Sequence, residues 1–146
     1  MNTIKSLKTY KKDILLISLF IILINITLTL IYGSFVSSRK IKDPEAITFF
    51  SFLLGGIFVP FFEETLMRGI FQKFLMKKTK LTIPIIYLIV ASVFSALHME
   101  SFFIPYFITS LLLSYVFTKS DYNLLAPIIC HMNYNLFVLF LYSLNI

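Results

Sequence analysis

Glu63 and Glu64 stand side by side in an otherwise apolar stretch, with Arg68 one helical turn further on, and no other side chain ionises between Phe49 and Lys73. One charge at the centre of a bilayer helix costs about 2.5–3.5 kcal/mol on insertion scales, so a trio of charges there belongs against a protein interior and calls for a function. Two further polar pairs lie in equally apolar surroundings, Phe94 with His98 and His131 with Asn135. Each pair is spaced four apart and therefore shares one helix face. Carboxylates, imidazoles and a side-chain amide suit amide hydrolysis. A carboxylate and an imidazole can take a proton from water, while a second imidazole and an amide can donate to the oxyanion that forms at an attacked carbonyl.

Spacing divides the acid pair. Glu64 and Arg68 have the acid-before-base separation of a helical ion pair, and they neutralise one another. Glu63 points about a hundred degrees away and is expected to remain a desolvated carboxylate, suited to act as a general base. Two other readings compete with catalysis. The charges could be a cluster that ties helices together, and each histidine taken alone reads as an interhelical hydrogen bonder. Glu63, His98 and His131 are also a ligand set that zinc accepts, with one position left open. No His-Glu-x-x-His stands on one helix, so spacing leaves water activation and zinc both open, and a cofactor is not assigned.

The elements that must position these groups are helices in a membrane. Hydrophobic residues make up 58% of the 146-residue chain and charged residues only 14%, which excludes a soluble domain of this size. The net charge of +6 does not point to nucleic acid, because the lysines gather at the ends of apolar runs, as interfacial anchors do. The single cysteine, Cys130, excludes an internal disulfide and reads as core. Five apolar segments follow one another, at about Ile14–Phe35, Ala46–Met76, Leu81–His98, Ile104–Thr118 and Leu124–Ile146. Lipid offers no partner to backbone groups and the chain lacks strand alternation, so each is expected to be helical. The run from Ile14 is longer than a signal-peptide core and reads as a retained span. The expected fold is all-α: one integral membrane domain over residues 1–146, a polytopic bundle of about five transmembrane helices, with the catalytic core helices in 46–143.

Lysine distribution orients the bundle. A cytoplasmic amino terminus puts Lys5, Lys8, Lys11, Lys12, the run from Lys73 to Lys80 and Lys119 inside, with Arg39, Lys40 and Lys42 outside and Ile146 external. From that interface Glu63, His98 and His131 each lie on the order of 15 Å deep, which allows them to meet in one layer. Pro60 and Pro105 are candidate kinks that open a cavity there. The many Phe and Tyr residues read as lipid-facing or interfacial bulk.

The ordered set Glu63-Glu64-x-x-x-Arg68, Phe94-x-x-x-His98 and His131-x-x-x-Asn135 resembles the signature of the CAAX-protease and bacteriocin-processing family (CPBP, or Abi) of intramembrane endopeptidases. Gly69 after Arg68 and the run Ala126-Pro127-Ile128-Ile129 before His131 fit the same pattern. Ser110 and Ser114 replace glycines common in the family and keep a small-x-x-x-small strip for close packing. The resemblance implies that Glu63 and His98 activate water, that His131 and Asn135 support the oxyanion, and that Glu64 and Arg68 organise the site. It also implies a membrane-associated peptide or protein substrate, location in the cell membrane, and the bacteriocin self-immunity role of small members. The rival function is a non-catalytic membrane protein whose buried cluster relays protons or binds a partner.

Overall fold

The computed structural model describes residues 7–35, 48–100 and 102–144, and among these every regular element is helical. Lys5, the expected external loop with Arg39, Lys40 and Lys42, the start of the second segment at Ala46 and the terminal Ile146 lie outside the described residues.

Five helices follow the five apolar segments: α1 (Lys11–Phe35), α2 (Phe49–Lys78), α3 (Ile83–Leu97), α4 (Ile104–Lys119) and α5 (Leu125–Ser143). Three are long and apolar enough to cross a membrane: residues Lys11–Tyr32 of α1, all of α2, and α5. The other two have 15 and 16 residues. At 1.5 Å per residue they reach about 22–24 Å, short of a hydrocarbon core of about 30 Å. The end of α3 delivers His98, its C-cap residue.

Local sequence explains the ends. Thr48 and Ser51 cap α2 reciprocally: Thr48 Oγ1 accepts from the Ser51 N–H at 3.2 Å, and Ser51 Oγ accepts from the Thr48 N–H at 3.3 Å. Pro84 and Pro105 sit in the first turns of α3 and α4, where a missing N–H costs no helical bond. Pro105 is thus a helix start and not the expected kink. Between α4 and α5, Asp121 and Tyr122 take left-handed conformations at φ 55° and 59°. Tyr10 donates to Asp121 Oδ2 at 2.9 Å, tying the start of α1 to this turn.

α2 is the unusual element, because its hydrogen-bond register widens twice to i→i+5, over Leu54–Phe58 and Thr65–Gln72. Such π segments are rare and concentrate at functional sites. The first lies just ahead of Pro60. Val59 N–H reaches Leu54 O, so the next donor in that register would be the absent N–H of Pro60, which leaves the Gly55 carbonyl without its helical partner. Asn135 Nδ2 supplies the missing donor at 2.9 Å.

The bundle exposes apolar side chains and buries polar ones beside its apolar clusters. Leu15, Leu16, Leu23, Phe58, Phe62 and Leu66 are exposed, whereas Asn25, Glu64, Arg68, Gln72, Ser110 and Ser114 are buried. Lipid-facing surface needs no burial, while polar groups must find partners within the protein. α1, α4 and α5 share one apolar cluster built on Ile21, Leu113 and Cys130, with Cys130 in the core as expected. α2 and α3 share a second built on Met67, Ile86, Val90 and Phe94. Gly56 lets α2 approach α5 closely, since a Cβ there would collide with the Leu136 side chain.

Candidate functional site

Three helices bring their polar residues to one point. α2 contributes Glu63 and Glu64 at the junction with its second π segment, α3 ends at His98, and α5 contributes His131 one turn before Asn135.

Glu64 and Arg68 form the expected pair at 2.9 Å, and both side chains are fully buried. Arg68 has further acceptors across the helix interface. Its Nη2 donates to Ser110 O at 2.9 Å and to Ser110 Oγ at 2.7 Å, so the small-residue strip of α4 both packs against α2 and solvates its charge. The guanidinium also lies 5.1 Å from the centre of the Phe94 ring. Glu64 is shared: the same Oε1 that accepts from Arg68 also receives His131 Nδ1 at 2.8 Å. A carboxylate can only accept there, so His131 carries a proton on Nδ1. Glu64 thus orients an imidazole as well as neutralising Arg68, a second role that helical spacing could not disclose.

His98 is fixed in the same way by a different acceptor. Its Nδ1 lies 2.8 Å from Phe94 O, and a carbonyl accepts only, so Nδ1 is protonated and Nε2 of the neutral ring bears the lone pair. That Nε2 faces Glu63 Oε1 at 3.9 Å, while His131 Nε2 faces Glu63 Oε2 at 3.7 Å. Neither gap is a hydrogen bond, and separations of this size between polar groups suit a bridging water. Glu63 is 30% exposed and His98 23%, against 6% for His131. Glu63 is therefore less desolvated than expected, because it opens onto a cavity instead of packing into the helix interface.

The cavity measures about 640 Å³ and is lined by Glu63, His98, His131 and Asn135 together with Phe94, Tyr106, Tyr134 and Glu100. This volume suits a peptide segment or a small ligand. Asn135 reaches it with one N–H already committed to Gly55 O, leaving its second N–H as the only amide donor it can offer a ligand. From α1, Asn25 and Thr29 complete the wall, and Asn25 Nδ2 ties α1 to α4 through Thr109 Oγ1 at 2.8 Å.

Glu63, His98 and His131 have the donor types of a zinc site, but their spacing does not close to one. Ligands about 2.0–2.1 Å from a tetrahedral zinc stand roughly 3.3 Å apart. The 3.7 and 3.9 Å gaps are wider, and no metal-holding group of three or more His, Cys, Asp or Glu occurs among the described residues.

The six polar residues singled out in the sequence, Glu63, Glu64, Arg68, His98, His131 and Asn135, come together here, but the sequence reading missed their partners. Tyr106 lies flat against His98, with ring centres 4.1 Å apart and planes at 29°, where an interfacial role was expected of the tyrosines. Ser110 was read only as a small residue. Both assignments depend on which helices neighbour one another, and residue type carries no signal for that.

Residues 45–137 match the family model described as type II CAAX prenyl endopeptidase Rce1-like. No curated protein and no solved structure matches the chain.

Proposed function

The chain belongs to the type II CAAX prenyl endopeptidase Rce1-like family, a family of proteases, and on that premise we propose that it hydrolyses a peptide bond of a membrane-associated substrate with water activated by Glu63 and His98. The observation that carries this reading is the pair of gaps around Glu63. Two acceptors, Glu63 Oε1 and His98 Nε2, face each other across 3.9 Å on the wall of a peptide-sized cavity, and a water molecule can donate one proton to each.

The steps follow from the donors and acceptors. His98 Nε2 orients the water, Glu63 takes one of its protons, and the oxygen adds to the substrate carbonyl. The resulting oxyanion needs donors. His131 provides one through Nε2–H when it carries both ring protons, with Nδ1–H held by Glu64. In that form Glu63, Glu64, Arg68 and His131 sum to zero charge, which suits a buried cluster. The second N–H of Asn135 provides another donor. Collapse of the intermediate breaks the C–N bond, and Glu63 returns its proton to the leaving amine. The π segment of α2 supports this arrangement, because the carbonyl it frees at Gly55 anchors the Asn135 amide. Protein processing and bacteriocin self-immunity would use the same chemistry and differ in substrate.

The test uses the purified full chain in lipid nanodiscs with a farnesylated CAAX peptide in ¹⁸O-labelled water. The expected result is one cleavage whose new carboxylate carries the label. An intact peptide, together with proton leakage through vesicles that stops in Glu63→Gln, would instead support the relay reading.

A further inference from the structure

His98 ends its helix, and this makes its ring hard to hold. It is the C-cap residue of α3, and Met99 after it turns left-handed at φ 51°, so no further helical turn packs around the imidazole. Among the described residues its ring has one hydrogen bond, from Nδ1 to Phe94 O, which fixes one atom and leaves the ring plane free to rock about that bond. Nε2 must nevertheless keep its lone pair toward Glu63 Oε1, 3.9 Å away, for a water to be shared between them. Two aromatic rings supply the restraint. Phe94 meets the imidazole at 4.6 Å and 49° from the same helix, and Tyr106 stacks on it at 4.1 Å and 29° from the first turn of α4. Tyr106 is itself held: Pro105 precedes it in that turn, and its ring packs against the buried cluster of Met67, Ile86, Val90 and Phe94.

We propose that Tyr106 is a positioning residue for the reaction. Its ring, through face-to-face contact, sets the plane of the His98 imidazole so that Nε2 addresses the water shared with Glu63. The inference rests on the protease reading for its kinetic consequence, but the geometric claim stands apart from activity. Stacked aromatic pairs gain energy in offset, near-parallel arrangements, so the contact favours one ring plane over others. Misplacing a reacting group by about 1 Å costs on the order of 10²-fold in rate. The role belongs to the ring and does not require the hydroxyl.

The experiment compares Tyr106→Leu and Tyr106→Phe in the full chain by two readouts. With a farnesylated CAAX peptide, Tyr106→Leu is expected to lower kcat about 10²-fold, by more than the change in KM that loss of this part of the cavity wall brings, and Tyr106→Phe to recover most of the loss. In ¹⁵N-histidine NMR the chain has only two histidines to assign. The wild type should show a single Nδ1–H tautomer for His98. Tyr106→Leu should keep that tautomer, because the bond to Phe94 O remains, and broaden the His98 Nε2 signal as the ring plane rocks; Tyr106→Phe should restore the sharp signal, and an unchanged His131 signal reports that the bundle is still folded. A wild-type His98 spectrum in Tyr106→Leu would overturn the proposal, as would a Tyr106→Phe variant impaired as much as Tyr106→Leu. If no variant or wild-type preparation cleaves the peptide, the protease reading fails for that substrate, and the His98 spectrum still decides the positioning role.

Discussion

Glu64 Oε1 takes two donors, Arg68 Nη1 and His131 Nδ1, in a place with no solvent exposure, and that limits what can be changed there. Removing one partner of a buried pair leaves the other charge uncompensated, at a typical cost of about 3–5 kcal/mol. Glu64→Ala and Arg68→Ala are therefore expected to lower the amount of folded protein in membranes, whereas Glu63→Ala, at a partly exposed position, should leave it near the wild-type level. Quantitative immunoblotting of membranes checks this, and equal levels of all three variants would remove the division between the two glutamates. The pairing of Glu64 with Arg68 was legible in the sequence because i,i+4 spacing is a local property. The share that His131 takes in Glu64 was not, since it depends on where α5 lies. Asn135 is expected to be costly twice over. Asn135→Ala should reduce kcat about 10²–10³-fold if its free N–H meets the oxyanion. It should also lower thermal stability by about 1–3 kcal/mol, because the Gly55 carbonyl loses its donor. A loss of stability with unchanged kcat would assign Asn135 to the helix break alone.

At the scale of elements, α2 concentrates the unusual geometry. Hydropathy placed it correctly but could not find its two π segments, which arise where Pro60 withholds a donor and where the Glu64, Arg68 and Gln72 stripe meets α4. Pro105 shows the converse: a proline in an apolar run reads as a kink, and only the bend after His98 makes it a helix start. The close approach of α2 to α5 rests on the small residue at Gly56. Gly56→Ile should separate the helices and cost about 1–3 kcal/mol as overpacking does. Shortening the facing side chain with Leu136→Ala should return part of that loss. Thermal unfolding of the single and double variants measures the coupling. Additive effects would mean that Gly56 is not the contact that sets the distance.

For the whole molecule, the described lysines of α1, α2 and α4 lie at one end of the bundle, as the bond from Tyr10 to Asp121 and the seat of Lys73 over Phe117 require. Lysine bias then predicts that this end is cytoplasmic. Cysteines introduced at Lys78 and Ser143 test it in intact cells, with the native Cys130 buried. Impermeant labelling is expected at Ser143 and not at Lys78, and the opposite pattern would invert the orientation. The central claim is that water held by Glu63 and His98 attacks a peptide bond, and it is tested most directly by the cleavage rate of Glu63→Gln beside wild type in the same membranes. Glutamine keeps the size of the side chain and removes the proton acceptor. The rate should fall about 10²–10⁴-fold, the usual worth of a general base, while the folded amount stays constant. An undiminished rate in Glu63→Gln would contradict the account.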